Sequence, residues 1–199
     1  MNTGQYCCST ERVYVVESIA EPFIARVVEK VKALRQGKEG EFDVGPMIWP
    51  QQLQVIDKQM DDAVKKGAKV HCGGKRNPTL GDLFYEPTVL TSVSHEMLIM
   101  TEETFGPILP IVVVKDEEEA IRLANDTVYG LAAWIESENV RRVHRVAGAL
   151  EAGTVWVNGF YDLPVGAPFG GHKQSGVGRV GGIWGIREFT RPKNVWMQL

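Results

Sequence analysis

Two adjacent cysteines near the start of the chain have the clearest potential for chemistry. Cys7 and Cys8 follow the short polar run Asn2-Thr3-Gly4-Gln5 and precede an apolar stretch that is typical of a strand. A thiol on a loop becomes a nucleophile when its surroundings favour the thiolate or place a base beside it. The same residues also fit a pair of half-buried small side chains, so this motif alone leaves both interpretations open.

A second candidate site lies in the middle of the chain, in the motif Glu102-Glu103-Thr104-Phe105-Gly106-Pro107. Two carboxylates stand before an aromatic residue and a Gly-Pro turn, directly ahead of an apolar run. A carboxylate can accept hydrogen bonds from both hydroxyls of a ribose, and an aromatic ring can cover a flat heterocycle. The alternative is a solvated acidic turn that holds a packed phenylalanine.

Two further patterns carry no predicted site. Residues 176–181 match the letters of the dinucleotide fingerprint G-x-G-x-x-G, but they follow no predicted strand and open no βαβ unit, so we interpret them as a loop. Metal binding is not predicted either, because the four histidines are scattered. His71 and Cys72 have no partners at the spacing of a zinc site.

The composition is that of an ordinary globular protein. The 199 residues are 44% apolar and 24% charged, with a net charge of −3 that is spread without long runs. We therefore predict no nucleic-acid partner. No apolar stretch reaches the roughly 20 residues of a membrane span, so we predict no membrane partner. Three cysteines do not make a disulfide framework, which favours a reducing, cytoplasmic location.

Strands and helices alternate along the chain. Apolar periodicity and turn residues predict strands at residues 12–16, 68–72, 85–90, 108–114, 131–135, 154–158 and 194–198. They predict helices at residues 22–36, 51–66, 116–125 and 137–150. Pro22 is expected in the first turn of one helix and Ser137 as the cap of another.

This alternation predicts an α/β fold with a three-layer αβα arrangement and a largely parallel sheet. The glycine-rich residues 159–185 are expected to be mostly loop. In parallel sheets the site usually lies at the carboxyl ends of the strands, so we expect the loops that bear the motifs there.

Four motifs follow one another along the chain: Asn2-Thr3-Gly4-Gln5-Tyr6-Cys7, Glu102-Glu103-Thr104-Phe105-Gly106-Pro107, Gly153-Thr154-Val155-Trp156-Val157-Asn158 and Pro168-Phe169-Gly170-Gly171-His172-Lys173-Gln174-Ser175-Gly176-Val177-Gly178-Arg179. Taken in this order, they resemble the NAD(P)-dependent aldehyde dehydrogenase superfamily in its C-terminal catalytic portion. The shorter piece Asp43-Val44-Gly45-Pro46 agrees as well. The resemblance implies a catalytic domain over residues 1–192. It also implies an assembly strand over residues 193–199, through which the protein forms a homo-oligomer.

The resemblance implies a role for each motif. Cys7 matches the family's nucleophile, and Cys8 is its neighbour in the substrate pocket. Glu103 matches the residue that binds the ribose of the nicotinamide, and Phe105 matches the residue that packs near the nicotinamide. The residues that correspond to the apolar aldehyde pocket are Leu163 and Phe169, with Tyr161 beside them.

The implied reaction is the oxidation of a small-molecule aldehyde to a carboxylic acid with NAD or NADP as cofactor. The thiolate of Cys7 attacks the aldehyde carbon, hydride passes to the nicotinamide, and water releases the acid from a thioester on Cys7. The backbone N–H of Cys7 serves as one donor to the oxyanion.

Departures from the family pattern shape this expectation. The family's dinucleotide-binding domain, its general-base glutamate and its second oxyanion donor have no counterpart in the 199 residues, so we expect a fragment without turnover of its own. Val180 stands where the family has a glutamate, which weakens the expected support of the glycine-rich loop. Two alternatives stay open: a non-catalytic truncated module that serves assembly, and a cysteine hydrolase or esterase that uses Cys7.

Overall fold

The computed structural model describes residues 1–159 and 162–199 of the chain. These residues form two compact units, Met1–Arg122 and Leu123–Leu199, and each unit has a sheet of its own. None of the helices in the described parts of the chain is long and apolar enough to span a membrane.

The first unit is built around a four-stranded sheet. Its strands are β1 (Val13–Val16), β2 (Lys69–Cys72), β3 (Thr88–Thr91) and β4 (Ile108–Val114). The strand order is β1-β4-β3-β2, in which β1, β4 and β3 run parallel and β2 pairs antiparallel with β3 at the edge. Val13 lies opposite Ile111 and Val16 opposite Val114, so β1 and β4 end at the same level.

Helices cover both faces of this sheet. They are α1 (Glu17–Lys32), α2 (Pro50–Lys65) and the short α3 (Leu98–Thr101). On one face Ala20 of α1 lies in a buried cluster with Val89, and on the other Ile56 of α2 lies in a second cluster with Leu90. Val89 and Leu90 point to opposite faces because successive side chains alternate along a strand. The predicted α/β fold with three layers and a largely parallel sheet is therefore confirmed.

The second unit contains a parallel pair of strands and two helices. These elements are β5 (Ala132–Ile135), α5 (Val140–Ala149), β6 (Thr154–Val157) and α6 (Gly182–Glu188), while α4 (Glu117–Asn125) runs across the boundary between the units. β5 and β6 pair in parallel, and their register places Ala132 opposite Thr154. Trp134 lies opposite Trp156 in this register, and their indole rings stack with their centroids 5.1 Å apart.

Two helix starts differ from the prediction. Helix α1 begins at Glu17 and ends at Lys32, so Pro22 lies inside the helix instead of in its first turn. The reason is that the chain passes from β1 into α1 without a loop. Helix α5 is capped by Asn139 and not by Ser137, because the Asn139 side chain accepts a 3.0 Å hydrogen bond from the backbone N–H of Arg142.

The C-terminal segment also differs from the prediction. Helix α6 begins at Gly182, within residues 159–185 that were predicted to be mostly loop, and residues 194–198 form no strand in this chain. A strand needs a neighbouring backbone to complete its hydrogen bonds, and no described residue of this chain pairs with the segment. Val195, Trp196 and Met197 remain 74%, 79% and 73% exposed. Pairing of this segment with another subunit stays a prediction.

Candidate active site

The cysteine loop and the Glu103–Phe105 loop lie at the amino ends of their strands. The cysteine loop leads into β1, and residues 101–107 lead into β4. Because β1 and β4 run parallel, the expectation that these motifs lie at the carboxyl ends of strands is wrong for both. The two loops meet because they enter neighbouring strands of the same sheet side by side.

The two adjacent cysteines have opposite environments. Cys7 is exposed, whereas Cys8 is 1% exposed, and their sulfur atoms lie 4.0 Å apart as free thiols. Burial, together with the charge and hydrogen bond of Cys7, raises the pKa of Cys8 to about 12. Cys8 therefore stays protonated at neutral pH, and Cys7 presents the accessible sulfur. The backbone N–H of Cys7 donates no hydrogen bond to any described residue.

The Asp43-Val44-Gly45-Pro46 segment and the residues after it hold the cysteine loop in place. Thr3 Oγ1 donates to the carbonyl of Gly45 at 3.1 Å. The buried amide of Gln5 donates to the carbonyl of Pro46 at 3.3 Å and accepts from the N–H of Ile48 at 2.8 Å. These contacts fasten the residues on the amino side of Cys7, while its own side chain remains at the surface.

A close backbone contact joins the cysteine loop to the second loop. Gly4 has a φ of +75°, and a Cβ at this position would overlap the carbonyl of Gly106. Gly106 is itself packed against Ile56 of α2, whose side chain a Cβ on Gly106 would also overlap. The absence of a side chain at Gly4 therefore allows the two motifs to approach each other, and its absence at Gly106 leaves room for Ile56.

Side chains from outside the recognised motifs hold the backbone of the Glu103–Phe105 loop. The carboxylate of Glu11 accepts from the N–H groups of Thr104 and Phe105, at 2.7 and 2.9 Å. Gln52 donates to the carbonyl of Thr104 at 2.7 Å, and Gln59 donates to the carbonyl of Glu103 at 3.3 Å. Sequence reasoning missed Glu11, Gln52 and Gln59, because nothing in their local patterns indicates partners this distant along the chain.

Glu103 and Phe105 present different surfaces on this loop. The Glu103 side chain is exposed, although partial desolvation by its neighbours raises the pKa of its carboxyl. Phe105 is half-buried and has a φ of 48°, in the left-handed region that residues with a Cβ seldom adopt. The two exposed carboxylate oxygens of Glu103 lie on the same anchored loop as the aromatic ring of Phe105. Together they can bind a ligand that carries both hydroxyl groups and a flat ring.

The predicted pocket residues Leu163 and Phe169 belong to the second unit, where both are half-buried. The backbone of Phe169 exchanges two hydrogen bonds with Val180, at 2.7 and 2.8 Å. Arg179 donates to the carbonyls of Gly171 and Gly178, at 2.9 and 2.8 Å. The glycine-rich loop is thus supported by its backbone and by Arg179, with valine at residue 180. Tyr161 lies outside the described residues.

Residues 176–181 follow a short 3-10 turn (Lys173–Ser175) instead of a strand, which agrees with their interpretation as a loop. Within residues 1–159 and 162–199, no group of three or more histidine, cysteine, aspartate or glutamate side chains is arranged to hold a metal ion.

Comparison with known proteins gives a consistent result. A profile of the aldehyde dehydrogenase family matches residues 1–195. The mitochondrial succinate-semialdehyde dehydrogenase of Oryza sativa subsp. japonica is 45% identical, over 98% of this chain and 37% of that protein. A relative from Sinorhizobium fredii, named as a succinate-semialdehyde dehydrogenase for NADP(+), is 43% identical over 96% of this chain and 39% of that protein.

Solved structures agree with the sequence comparison. The betaine aldehyde dehydrogenase of Staphylococcus aureus, in complex with NAD+, matches with a TM-score of 0.90 at 38% identity, over 100% of this chain and 42% of that chain. The chain spans about two fifths of the length of the curated relatives it matches. Because the family profile covers nearly all of its residues, as the order of the motifs predicted, the chain belongs to the aldehyde dehydrogenase family.

Proposed function

We propose that this chain is the cysteine-bearing portion of an enzyme that oxidises a small-molecule aldehyde to a carboxylic acid with NAD or NADP. The observation that carries the proposal is the exposed thiol of Cys7, on a loop packed through Gly4 against the turn that follows Glu103 and Phe105. Membership of the family supports the reaction class. The NAD+ in the Staphylococcus aureus complex and the NADP(+) in the Sinorhizobium fredii name support the two candidate cofactors.

Cys7 carries out the covalent chemistry in this proposal. Its thiolate attacks the aldehyde carbon, and the electron pair of the C=O π bond moves to oxygen to give a thiohemiacetal alkoxide. The Cys7 N–H, which has no partner among the described residues, is available to donate to this oxygen. Removal of one such donor typically costs about 10²–10³-fold in rate.

The loop that contains Glu103 and Phe105 suits a nicotinamide cofactor. Its carboxylate is exposed to accept ribose hydroxyls, and its aromatic ring is half-buried on a backbone that Glu11, Gln52 and Gln59 hold. Glu103 and Phe105 would hold the cofactor there, and it would supply the acceptor for the hydride of the thiohemiacetal carbon. The acyl group then remains on Cys7 as a thioester, which water cleaves to the carboxylic acid and the free thiol.

The C-terminal segment serves subunit assembly in the same proposal. Residues 194–198 carry three exposed apolar side chains and lack a partner strand among the described residues of this chain. An extended segment of this kind can complete its backbone hydrogen bonds on the sheet edge of another copy. We therefore assign to it the formation of a homo-oligomer.

The first test of the proposal is acylation of the purified chain. The chain is incubated with p-nitrophenyl acetate, an activated ester, and the acetylated residue is identified by peptide mass spectrometry. We expect an adduct on Cys7 that is lost in Cys7→Ala and kept in Cys72→Ala, a control that removes the thiol of β2. Lack of any adduct on Cys7 favours the assembly module without catalysis.

The second test is aldehyde-dependent reduction of NAD+ or NADP+ by the protein that contains this chain, followed by absorbance. We expect reduction with the wild-type residue and none with Cys7→Ala. Reduction that persists in Cys7→Ala removes Cys7 as the nucleophile. Continuous ester hydrolysis without any aldehyde oxidation supports the cysteine hydrolase instead.

A further inference from the structure

The carboxylate of Glu11 joins the segment between the cysteine loop and β1 to the loop that contains Glu103 and Phe105. Glu11 lies two residues before β1 and belongs to none of the motifs that identify the family. Its Oε2 accepts from the N–H of Thr104 at 2.7 Å and its Oε1 accepts from the N–H of Phe105 at 2.9 Å. One carboxylate thus binds two consecutive backbone donors, an arrangement that is both strong and geometrically specific.

The surroundings leave these two donors few other acceptors. Thr104 is 1% exposed and the supporting Gln59 is fully buried, so water has little access beneath the loop. Gln52 and Gln59 already occupy the carbonyls of Thr104 and Glu103. A buried N–H that loses its acceptor bears the full cost of its desolvation. The conformation of the loop therefore depends on Glu11 more than on any exposed contact.

The backbone of the loop adds a second reason for this dependence. Phe105 has a φ of 48°, and this left-handed conformation is disfavoured for a residue that carries a Cβ. Such a residue persists only where surrounding contacts determine it. The hydrogen bond from the Phe105 N–H to Glu11 is one of these contacts, and it acts at the strained residue itself.

We propose that Glu11 is a positioning residue, which holds Glu103 and Phe105 in the conformation that receives the nicotinamide cofactor. The proposal rests on the function proposed above. Glu11 acts through the backbone of residues 104 and 105, so its effect falls on cofactor binding. The nucleophilicity of Cys7 does not depend on it.

The variant Glu11→Gln tests this role with little change of shape. Its amide oxygen can accept from one of the two N–H groups, while its NH₂ group faces the other, which is left without an acceptor. Glu21→Gln is the matched control, because Glu21 is an exposed residue of α1. Glu11→Asp serves as the conservative variant, since it keeps the charge and both acceptor oxygens on a shorter side chain.

The first measurement is amide hydrogen exchange of Thr104 and Phe105 in the purified chain. We expect Glu11→Gln to accelerate exchange of at least one of these amides by about tenfold, as for one lost hydrogen bond. Glu11→Asp should restore part of the protection, and Glu21→Gln should leave it unchanged. Unchanged exchange in Glu11→Gln overturns the role of Glu11 whether or not the protein is a dehydrogenase.

The second measurement separates positioning from a merely structural role, in the protein that contains this chain. We expect Glu11→Gln to raise the KM and Kd for NAD+ or NADP+ by about tenfold. Acetylation of Cys7 by p-nitrophenyl acetate should stay within about twofold of wild type, since the cysteine loop keeps its own anchors. Faster exchange without weaker cofactor binding, or an equal loss of acetylation, overturns the proposal. Failure of the wild-type protein to bind either cofactor overturns the proposed function itself.

Discussion

Gly4 and Gly106 pack so closely that a methyl group on Gly4 would overlap the carbonyl oxygen of Gly106. This contact joins the loop that ends in Cys7 to the turn that follows Phe105. Gly4 also has a φ of +75°, so it meets two separate demands: a left-handed backbone and an approach without a side chain. The contact provides a direct test of whether the two loops form one structural unit.

The substitution Gly4→Ala should destabilise the chain more than a left-handed alanine does by itself. Gly40 is the matched control, because it also has a φ of +75° but has open space around it. We expect Gly40→Ala to lower the free energy of unfolding by about 1–2 kcal/mol. Gly4→Ala should cost a further 1–3 kcal/mol or so from the displaced backbone. Urea denaturation measures both, and equal losses would contradict the contact.

Alkylation should distinguish the two adjacent cysteines. Cys7 is exposed, while Cys8 is buried with its pKa raised to about 12, so the thiolate fraction of Cys8 at pH 8 is only about 10⁻⁴. We expect iodoacetamide to modify Cys7 first and Cys8 only after unfolding, as followed by peptide mass spectrometry. Cys72, half-buried with a pKa raised by burial, should react slowly and serves as the internal reference. Labelling of Cys8 at the rate of Cys7 would refute the assignment.

The anchoring of the Glu103–Phe105 loop should weaken when Glu11 becomes protonated. This should occur at a pH above 4.5, the ordinary pKa of a glutamate side chain. Burial is the largest influence and raises the pKa of Glu11, and the negative charge of Glu103 raises it further. The hydrogen bonds from the N–H groups of Thr104 and Phe105 and the positive charge of Arg12 lower this pKa. Protonation turns one acceptor oxygen into a donor, so at least one of the Thr104 and Phe105 amides should lose protection as pH falls through this raised pKa.

Protonation of Glu11 affects global stability in the opposite direction from its effect on the loop. A carboxyl whose pKa is higher in the folded chain than in the unfolded chain binds its proton more tightly when folded, so protonation of Glu11 favours the folded state. Amide protection at residues 104 and 105, corrected for intrinsic exchange, should therefore fall without a loss of global stability from this group. Glu11→Gln removes the titrating group and should abolish the fall in amide protection at acid pH. If protection still fell at acid pH in that variant, the fall would have to come from the titration of another group.

The C-terminal segment should control the oligomeric state. Trp196 is 79% exposed within residues 194–198, which we assign to a partner's sheet edge. We expect Trp196→Asp to raise the dissociation constant of the oligomer by about tenfold or more, as measured by sedimentation velocity. Val177→Asp is the control, because Val177 is an exposed apolar residue as well but lies in the glycine-rich loop. An equal effect of both substitutions would indicate non-specific association.

The family and the elements that depend on local pattern could be predicted from the amino-acid sequence alone. The apolar run of β4 spans Ile108–Val114 as predicted, because a strand covered on both faces reads as a continuous apolar segment. The start of α4 was equally readable, since Asp116 accepts from the N–H of Glu119 at 2.9 Å within a single turn. Cys7, Glu103 and Phe105 could be proposed as site residues from the sequence because each lies in a contiguous motif.

Features that depend on groups far apart in the chain became apparent only in the folded structure. Whether the site loops lie at the amino or the carboxyl ends of strands follows from the pairing of β1 with β4, which no local pattern reveals. The same holds for Glu11, whose two partners lie 93 and 94 residues away. Hydrogen bonds between residues so far apart in the sequence follow no periodic pattern from which they could be predicted. They form only once the sheet has brought the two loops side by side.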